Sequence, residues 1–185
     1  MKKLTLKSFT LVVIFSLLKL NSQVLYNDAI VVSDCKIASQ VGLDILKKGG
    51  NAIDASIATA FTLAVTLPSA GNIGGGGFIV FLNSDNESKT IDFREKAPIN
   101  STKGMFLDES GNLIRGINHN SVLSIGVPGT VAGLFFAHKK YGKISWKKLI
   151  QPAIDIANNR FIMTKGLYNY AKNVISKKQT FFIKN

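Results

Sequence analysis

The 185 residues are 46% apolar and 18% charged, with 16 Gly and 4 Pro, a composition that excludes wholesale disorder, collagen-like repeats and proline-rich architecture. The single cysteine excludes an intramolecular disulfide framework and any cysteine-cluster zinc site. The net charge of +12 invites nucleic acid or an acidic surface as partner, but it is terminal: residues 1–20 carry +4, residues 21–137 carry −2, and residues 138–185 carry +10 with Asp155 as their one acid.

The chain opens with Lys2, Lys3 and Lys7 ahead of the apolar run 9–18, followed by Lys19 and polar Asn21-Ser22-Gln23. A basic start, a short apolar stretch and polar residues behind it read as a secretory signal peptide over 1–23. The expectation is an exported protein, periplasmic or extracellular. The run falls short of the roughly 20 apolar residues that a spanning helix needs, and an uncleaved N-terminal membrane anchor is the alternative. Ser33 and Asp34 then offer N-caps for a helix over about 35–48, where Ile37, Ala38, Val41, Ile45 and Leu46 recur at helical spacing. Gly49-Gly50 end it, and Asn51 caps a second helix reaching about Thr66. That helix is apolar nearly all round and is therefore expected to be buried on most sides, with Pro68 behind its end.

A glycine-rich segment, 71–77, precedes a strand at 78–82 that reads as buried, a turn at 84–88, and a returning strand at 89–94. In the second strand Ile91 and Phe93 face one side while Asp92 and Arg94 face the other. Residues 108–112 form another hairpin-like turn. Val127-Pro128-Gly129-Thr130 opens a helix over about 131–140, and Ser145 starts a further one with Pro152 near a helix N-terminus. Two helices, a hairpin and more helices make a mixed α/β layered arrangement, not alternating βαβ units.

Few residues on this chain suggest chemistry by themselves. The run Gly74–Gly77 is not a phosphate loop, because it has no Gly-Lys-Ser/Thr ending and sits between a helix and a strand. It reads as a turn needing positive φ and close backbone packing. His119 and His138 have no third partner at metal spacing, so no metal site is expected. Cys35, at a helix start, has either a lowered thiol pKa or simply the role of a small hydrophobe. The basic C-terminal stretch, with Trp146, Tyr168, Tyr170, Phe181 and Phe182 interspersed, is read as a solvated amphipathic face, not a nucleic-acid surface. Arg94 ends a strand behind the glycines, flanked by Asp92 and Glu95, where a guanidinium either clamps a substrate carboxylate or pairs with its neighbours.

Four segments in one order carry more weight together: Gly49-Gly50-Asn51-Ala52-Ile53-Asp54-Ala55, Gly74-Gly75-Gly76-Gly77-Phe78, Asp92-Phe93-Arg94-Glu95-Lys96-Ala97-Pro98, and Gly126-Val127-Pro128-Gly129-Thr130. With Trp146–Leu149 and Pro152-Ala153-Ile154 behind them, they resemble the N-terminal part of the γ-glutamyltranspeptidase (glutathione hydrolase) family over about residues 29–160. The resemblance implies an α/β (α+β) N-terminal-nucleophile hydrolase, an αββα four-layer sandwich of which only the N-terminal part is present. Residues 24–185 would be a partial large-subunit region. It further implies a precursor that cleaves itself, freeing a small subunit whose first residue is a Thr nucleophile activated by its own α-amine.

The implied reaction breaks the γ-glutamyl amide of glutathione and passes the acyl group to water, amino acids or dipeptides. Partners are then glutathione and other γ-glutamyl compounds, those acceptors, and the small subunit of the same precursor. No cofactor, metal or nucleic acid is expected, and membrane contact only through an uncleaved leader. By the same carry-over Arg94 holds the substrate α-carboxylate, and the glycine run packs near the site. Two departures stand out. Asp34-Cys35-Lys36 replaces a His-Pro-like pair before the first helix, and no Thr lies in a Thr-Thr-His-like cleavage context. No catalytic residue is therefore assigned within the chain, which reads as a fragment inactive alone. The alternatives are a noncatalytic exported binding protein on the same partial scaffold and a related amide acylase.

Overall fold

The computed structural model describes residues 28–182. The leader expected at 1–23 lies outside the described residues. Helix α1 (Lys36–Lys47) starts with Cys35 in extended backbone and no side-chain cap. Ser33, expected to cap it, instead donates to the Cys35 carbonyl at 2.9 Å and sits 2.8 Å from Ser39 Oγ. Its C-terminus closes as anticipated. Gly49 adopts φ +86°, its amide donates to Leu46 O, and the Gly50 amide donates to Ile45 O, the paired bonds of a Schellman motif.

Helix α2 (Ala52–Thr66) begins at Asn51 in a reciprocal capping box. Asn51 Oδ1 accepts from the Asp54 amide at 3.0 Å, and Asp54 Oδ2 accepts from the Asn51 amide at 3.1 Å. The helix is buried on most sides, packed by α1 on one flank and by later helices on the others. A side chain at Gly42 would collide with Thr59 Oγ1 and Val31, so α1 and α2 cross closely only because that position is bare.

Strands β1 (Phe78–Leu82) and β2 (Ser88–Asp92) pair antiparallel with Phe78 opposite Asp92 and Val80 opposite Thr90. Asn83 Oδ1 accepts from the Asp85 and Glu87 amides, and Asn86 takes φ +61° to turn the chain. Ile79, Phe81 and Ile91 point into the core. The other face of β1 is open, with Phe78 57%, Val80 72% and Leu82 63% exposed. β1 is therefore half-buried, not buried, because the helices cover only one face of this two-stranded sheet. β2 also stops two residues earlier than its pattern suggests. The Phe93 amide still bonds Gly77 O, but the Arg94 amide turns to Asp92 Oδ1 at 2.9 Å and leaves the ladder.

A short helix α3 (Ile117–Asn120) and a 3-10 turn (Val122–Ser124) lead to α4 (Thr130–Tyr141), α5 (Trp146–Asn159) and α6 (Lys165–Phe182). The turn at 108–112 forms, closed by Asp108–Asn112 and flanked by a Leu107–Leu113 bridge. Pro152 is in the interior of α5, not at its start. Lacking an N–H, it leaves the Lys148 carbonyl without its ladder partner. The core gathers Ile45, Ile57, Phe61, Ile91, Leu134 and Leu149 between the helices and the hairpin. Trp146 packs edge-on against Phe61 and Phe135, with ring centroids 5.4 and 5.2 Å away. Among the described residues no helix is long and apolar enough to cross a membrane.

Candidate functional site

Residues 93–96 leave the hairpin and run between two glycine-bearing segments. On one side the Gly77 carbonyl accepts from the Phe93 amide at 3.0 Å. A Cβ on Gly76 would meet the Glu95 amide at 2.5 Å and the Phe93 carbonyl at 2.6 Å. On the other side Lys96 and Val127 exchange backbone bonds, with Lys96 N to Val127 O at 3.1 Å and the reverse at 2.7 Å. The two flanks are tied together by the Gly75 carbonyl, which accepts from the Gly129 and Thr130 amides at 2.7 and 3.0 Å. That carbonyl satisfies orphan donors at the start of α4.

The glycine run is thus a packing device, as half of its expected reading held. The other half fails: among the described residues positive-φ glycines are Gly49, Gly111 and Gly116, none of them in the run. At Gly76 it is the close approach of the 93–95 backbone that excludes a side chain, while Gly75 faces the Asn72 side chain, Gly77 the Phe93 ring, and Gly74 open space.

Arg94 projects from this pinned backbone with its side chain 60% exposed. Its Nε lies 3.3 Å from Glu95 Oε2, and its guanidinium carbon sits 5.8 Å from the centre of the Phe78 ring. Of the two readings of Arg94, the pairing with a neighbour is the one the geometry shows; the side chain makes no other hydrogen bond among the described residues. The Glu95 carboxyl is held below its ordinary range. Its own backbone amide contributes most, burial opposes, and the Arg94 guanidinium adds charge and a hydrogen bond. Beside Arg94 opens a groove of about 670 Å³ lined by Lys96, Val127, Pro128, Ala132 and Phe136. Asp92 lines the groove as well, so Arg94 and Lys96 stand there with one carboxylate beside a short apolar wall.

The other sequence candidates do not join this site. His119 sits on the exposed helix α3. His138 Nε2 is 2.8 Å from the Ile144 carbonyl, while Nδ1 is buried without a partner. No group of three potential metal ligands forms among the described residues. Cys35 does have a lowered thiol pKa. Burial pushes it up, but the Thr66 hydroxyl and the Ala38 and Ile37 amides outweigh that. Sequence patterning missed Gly129 and Gly133. A Cβ on Gly129 would meet the Phe93 carbonyl, and one on Gly133 the Phe93 side chain near its root. A glycine inside an otherwise good helix, as at 133, is the signal that marks such contacts.

The match to known proteins bears on the same segments. Residues 38–183 fit the family model of Gamma-glutamyltranspeptidase. The chain belongs to that family. A glutathione hydrolase proenzyme from Pseudomonas sp. (strain A14) is 48% identical over 139 residues, 75% of this chain and 24% of the relative. The crystal structure of Helicobacter pylori gamma-glutamyltranspeptidase superposes with a TM-score of 0.78 at 40% identity, over 88% of this chain and 46% of that one. The Pseudomonas nitroreducens gamma-glutamyltranspeptidase complexed with L-DON gives 0.76 at 43% identity, over 82% and 45%. The α/β class expected from the resemblance therefore holds, with the described helices and hairpin forming part of the gamma-glutamyltranspeptidase fold. The chain spans about a quarter of the length of the curated relatives it matches.

Proposed function

We propose that these residues form the carboxylate-recognition part of an exported γ-glutamyltransferase and glutathione hydrolase, with Arg94 holding the α-carboxylate of the γ-glutamyl donor. The observation that carries this reading is an exposed guanidinium on a pinned backbone, in an intact Asp-Phe-Arg-Glu segment, at the mouth of an apolar groove. A bidentate guanidinium–carboxylate pair fixes orientation as well as charge. The donor would thereby be held with its γ-amide directed toward a nucleophile contributed by the rest of the longer family chain. In the reaction implied by the family, a Thr hydroxyl attacks the amide carbon while its α-amine takes the proton. The carbon–nitrogen bond breaks, the leaving amine is protonated, and water or an amino acid then receives the γ-glutamyl group. The 185 residues contain no Thr in the expected cleavage context and on this reading turn over no substrate alone.

The test uses γ-glutamyl-p-nitroanilide and two proteins. One is the 185-residue chain, for which no p-nitroaniline release is expected. The other is the same chain continued by the C-terminal three quarters of a Pseudomonas relative. There Arg94→Ala should raise KM by about 100-fold, the loss of a charge-assisted pair of about 3 kcal/mol, while self-cleavage persists. An unchanged KM removes the clamp assignment.

A further inference from the structure

Three glycines outside the Asp-Phe-Arg-Glu segment press on it from two sides. A Cβ on Gly133 would collide with Phe93 Cγ and Cβ and lie 2.6 Å from Phe93 Cδ1. Contacts at the root of a side chain cannot be relieved by rotating its far end, so the backbone of residue 93 or of α4 must move. Gly129 is tighter still, with its added carbon on the Phe93 carbonyl and 3.1 Å from the Arg94 carbonyl. Gly76 meets the Glu95 amide and the Phe93 carbonyl from the opposite flank. Arg94 is more loosely held: its amide donates to Asp92 Oδ1 at 2.9 Å, and its guanidinium carbon lies 5.8 Å from the centre of the Phe78 ring. Its side chain is 60% exposed and touches Glu95 through one bond of 3.3 Å. The location of the guanidinium is therefore set by the backbone of 93–95, and that backbone is set by the glycines.

We infer that Gly129 and Gly133, with Gly76 opposite, are positioning residues for Arg94, fixing the depth at which the guanidinium meets a donor carboxylate. This rests on the reading of Arg94 as the donor clamp. None of the three glycines has positive φ, so alanine is refused there by space and not by backbone conformation. The conflict at Gly133 is with Phe93 Cβ, Cγ and Cδ1, and that at Gly129 is with the Phe93 carbonyl, so both glycines press on the same residue.

The experiment uses the chain continued by the nucleophile-bearing part of a Pseudomonas relative. Gly133→Ala is expected to raise the donor KM about tenfold, the scale on which sub-ångström misplacement acts, with kcat within about twofold. Gly129→Ala, whose added carbon meets the Phe93 carbonyl, should raise the donor KM in the same sense. A merely structural role behaves differently, because a smaller folded fraction lowers apparent kcat and leaves KM unchanged. A fall in kcat at constant KM, or a KM unmoved in Gly133→Ala, overturns the inference. So does a KM unmoved in Gly129→Ala. Arg94→Ala in the same background separates the two levels: if it too leaves KM unchanged, the clamp reading itself has failed.

Discussion

Asp54→Ala should cost this protein more stability than any surface change of similar size, because one carboxylate closes two separate parts of the fold. Asp54 is 0% exposed. It accepts the Asn51 amide at 3.1 Å in the capping box of α2. It also accepts the Lys143 amide at 3.0 Å and the Ile144 amide at 3.3 Å, in the loop that joins α4 to α5. Asn51 completes the tie by donating from Nδ2 to the Tyr141 carbonyl at 2.6 Å. The start of α2 and the turn some ninety residues later are thus fastened by one short polar cluster. The negative charge also lies at the positive end of the α2 dipole.

A hydrogen bond to a charged group contributes about 1.5–3 kcal/mol, and a buried amide stripped of its acceptor costs about 1–3 kcal/mol. Three such bonds do not add fully. The Ile144 bond is long, and Lys143 is exposed enough for water to replace part of what it loses. A loss of about 3–4 kcal/mol is expected for Asp54→Ala, and about 2 kcal/mol for Asp54→Asn, which keeps one acceptor oxygen but sets an NH2 against an amide. Urea unfolding reads this directly through Trp146, the one tryptophan, which is packed between Phe61 and Phe135 near the same loop. The midpoint should fall with little change in m. Asn51→Ala should cost about 1–2 kcal/mol, and the two losses should couple by more than about 0.5 kcal/mol because the groups share partners. A loss below about 1 kcal/mol for Asp54→Ala, or strict additivity with Asn51→Ala, refutes the idea that this cluster joins the two regions.

Cys35 supplies a pH prediction. Its thiol pKa is lowered in the folded protein, burial being outweighed by the Thr66 hydroxyl and the Ala38 and Ile37 amides, so iodoacetamide should react faster than with the unfolded chain at equal pH near 7–8. Thr66 Oγ1 also lies 2.9 Å from the Thr62 carbonyl, and its one proton serves a single acceptor at a time. Thr66→Val should therefore raise the apparent thiol pKa and slow alkylation; an unchanged pH–rate profile would exclude the hydroxyl. The linked stability is absent below the folded pKa, grows as pH rises through it, and is complete above the unfolded value. At the sheet, Val80→Lys places a charge on a face that is 72% exposed at that residue. Light scattering during refolding should drop while the unfolding free energy changes by less than about 0.5 kcal/mol. Unchanged aggregation would mean that the outer face of β1 is not the adhesive surface.

Features fixed within a few residues were legible before any coordinates. Asn51 at the head of α2, Gly49-Gly50 behind α1 and the turn at 108–112 follow from local hydrogen-bond chemistry, and each formed where expected. Features that depend on what lies across a gap were not. The run Phe78–Leu82 has the composition of a buried strand, yet burial needs two covered faces and the helices cover one. Pro152 suits a helix start by its own geometry, but α5 is held by Leu149 and Ala153 packing into the core on either side of it. The glycines at 76, 129 and 133 look alike in sequence, and only the approach of residues 93–95 explains why no Cβ fits. Arg94 stands out by its setting, while the role proposed for it rests on the resemblance.

The weakness of the contact between Arg94 and Glu95 has a functional reading of its own. An exposed pair held by one bond of 3.3 Å contributes little to folding, so the guanidinium can exchange Glu95 for an incoming carboxylate at small cost. Phe78 limits the arc through which it swings, and Lys96 adds a second cation on the groove side. The rest of the +12 lies mainly outside this region, since residues 21–137 are close to neutral. A donor carboxylate would therefore be recognised by two nearby charges on a fixed backbone and not by the field of the whole chain. On that basis salt should weaken donor binding only modestly, because contact at hydrogen-bond range is screened far less than attraction over a Debye length of about 8 Å.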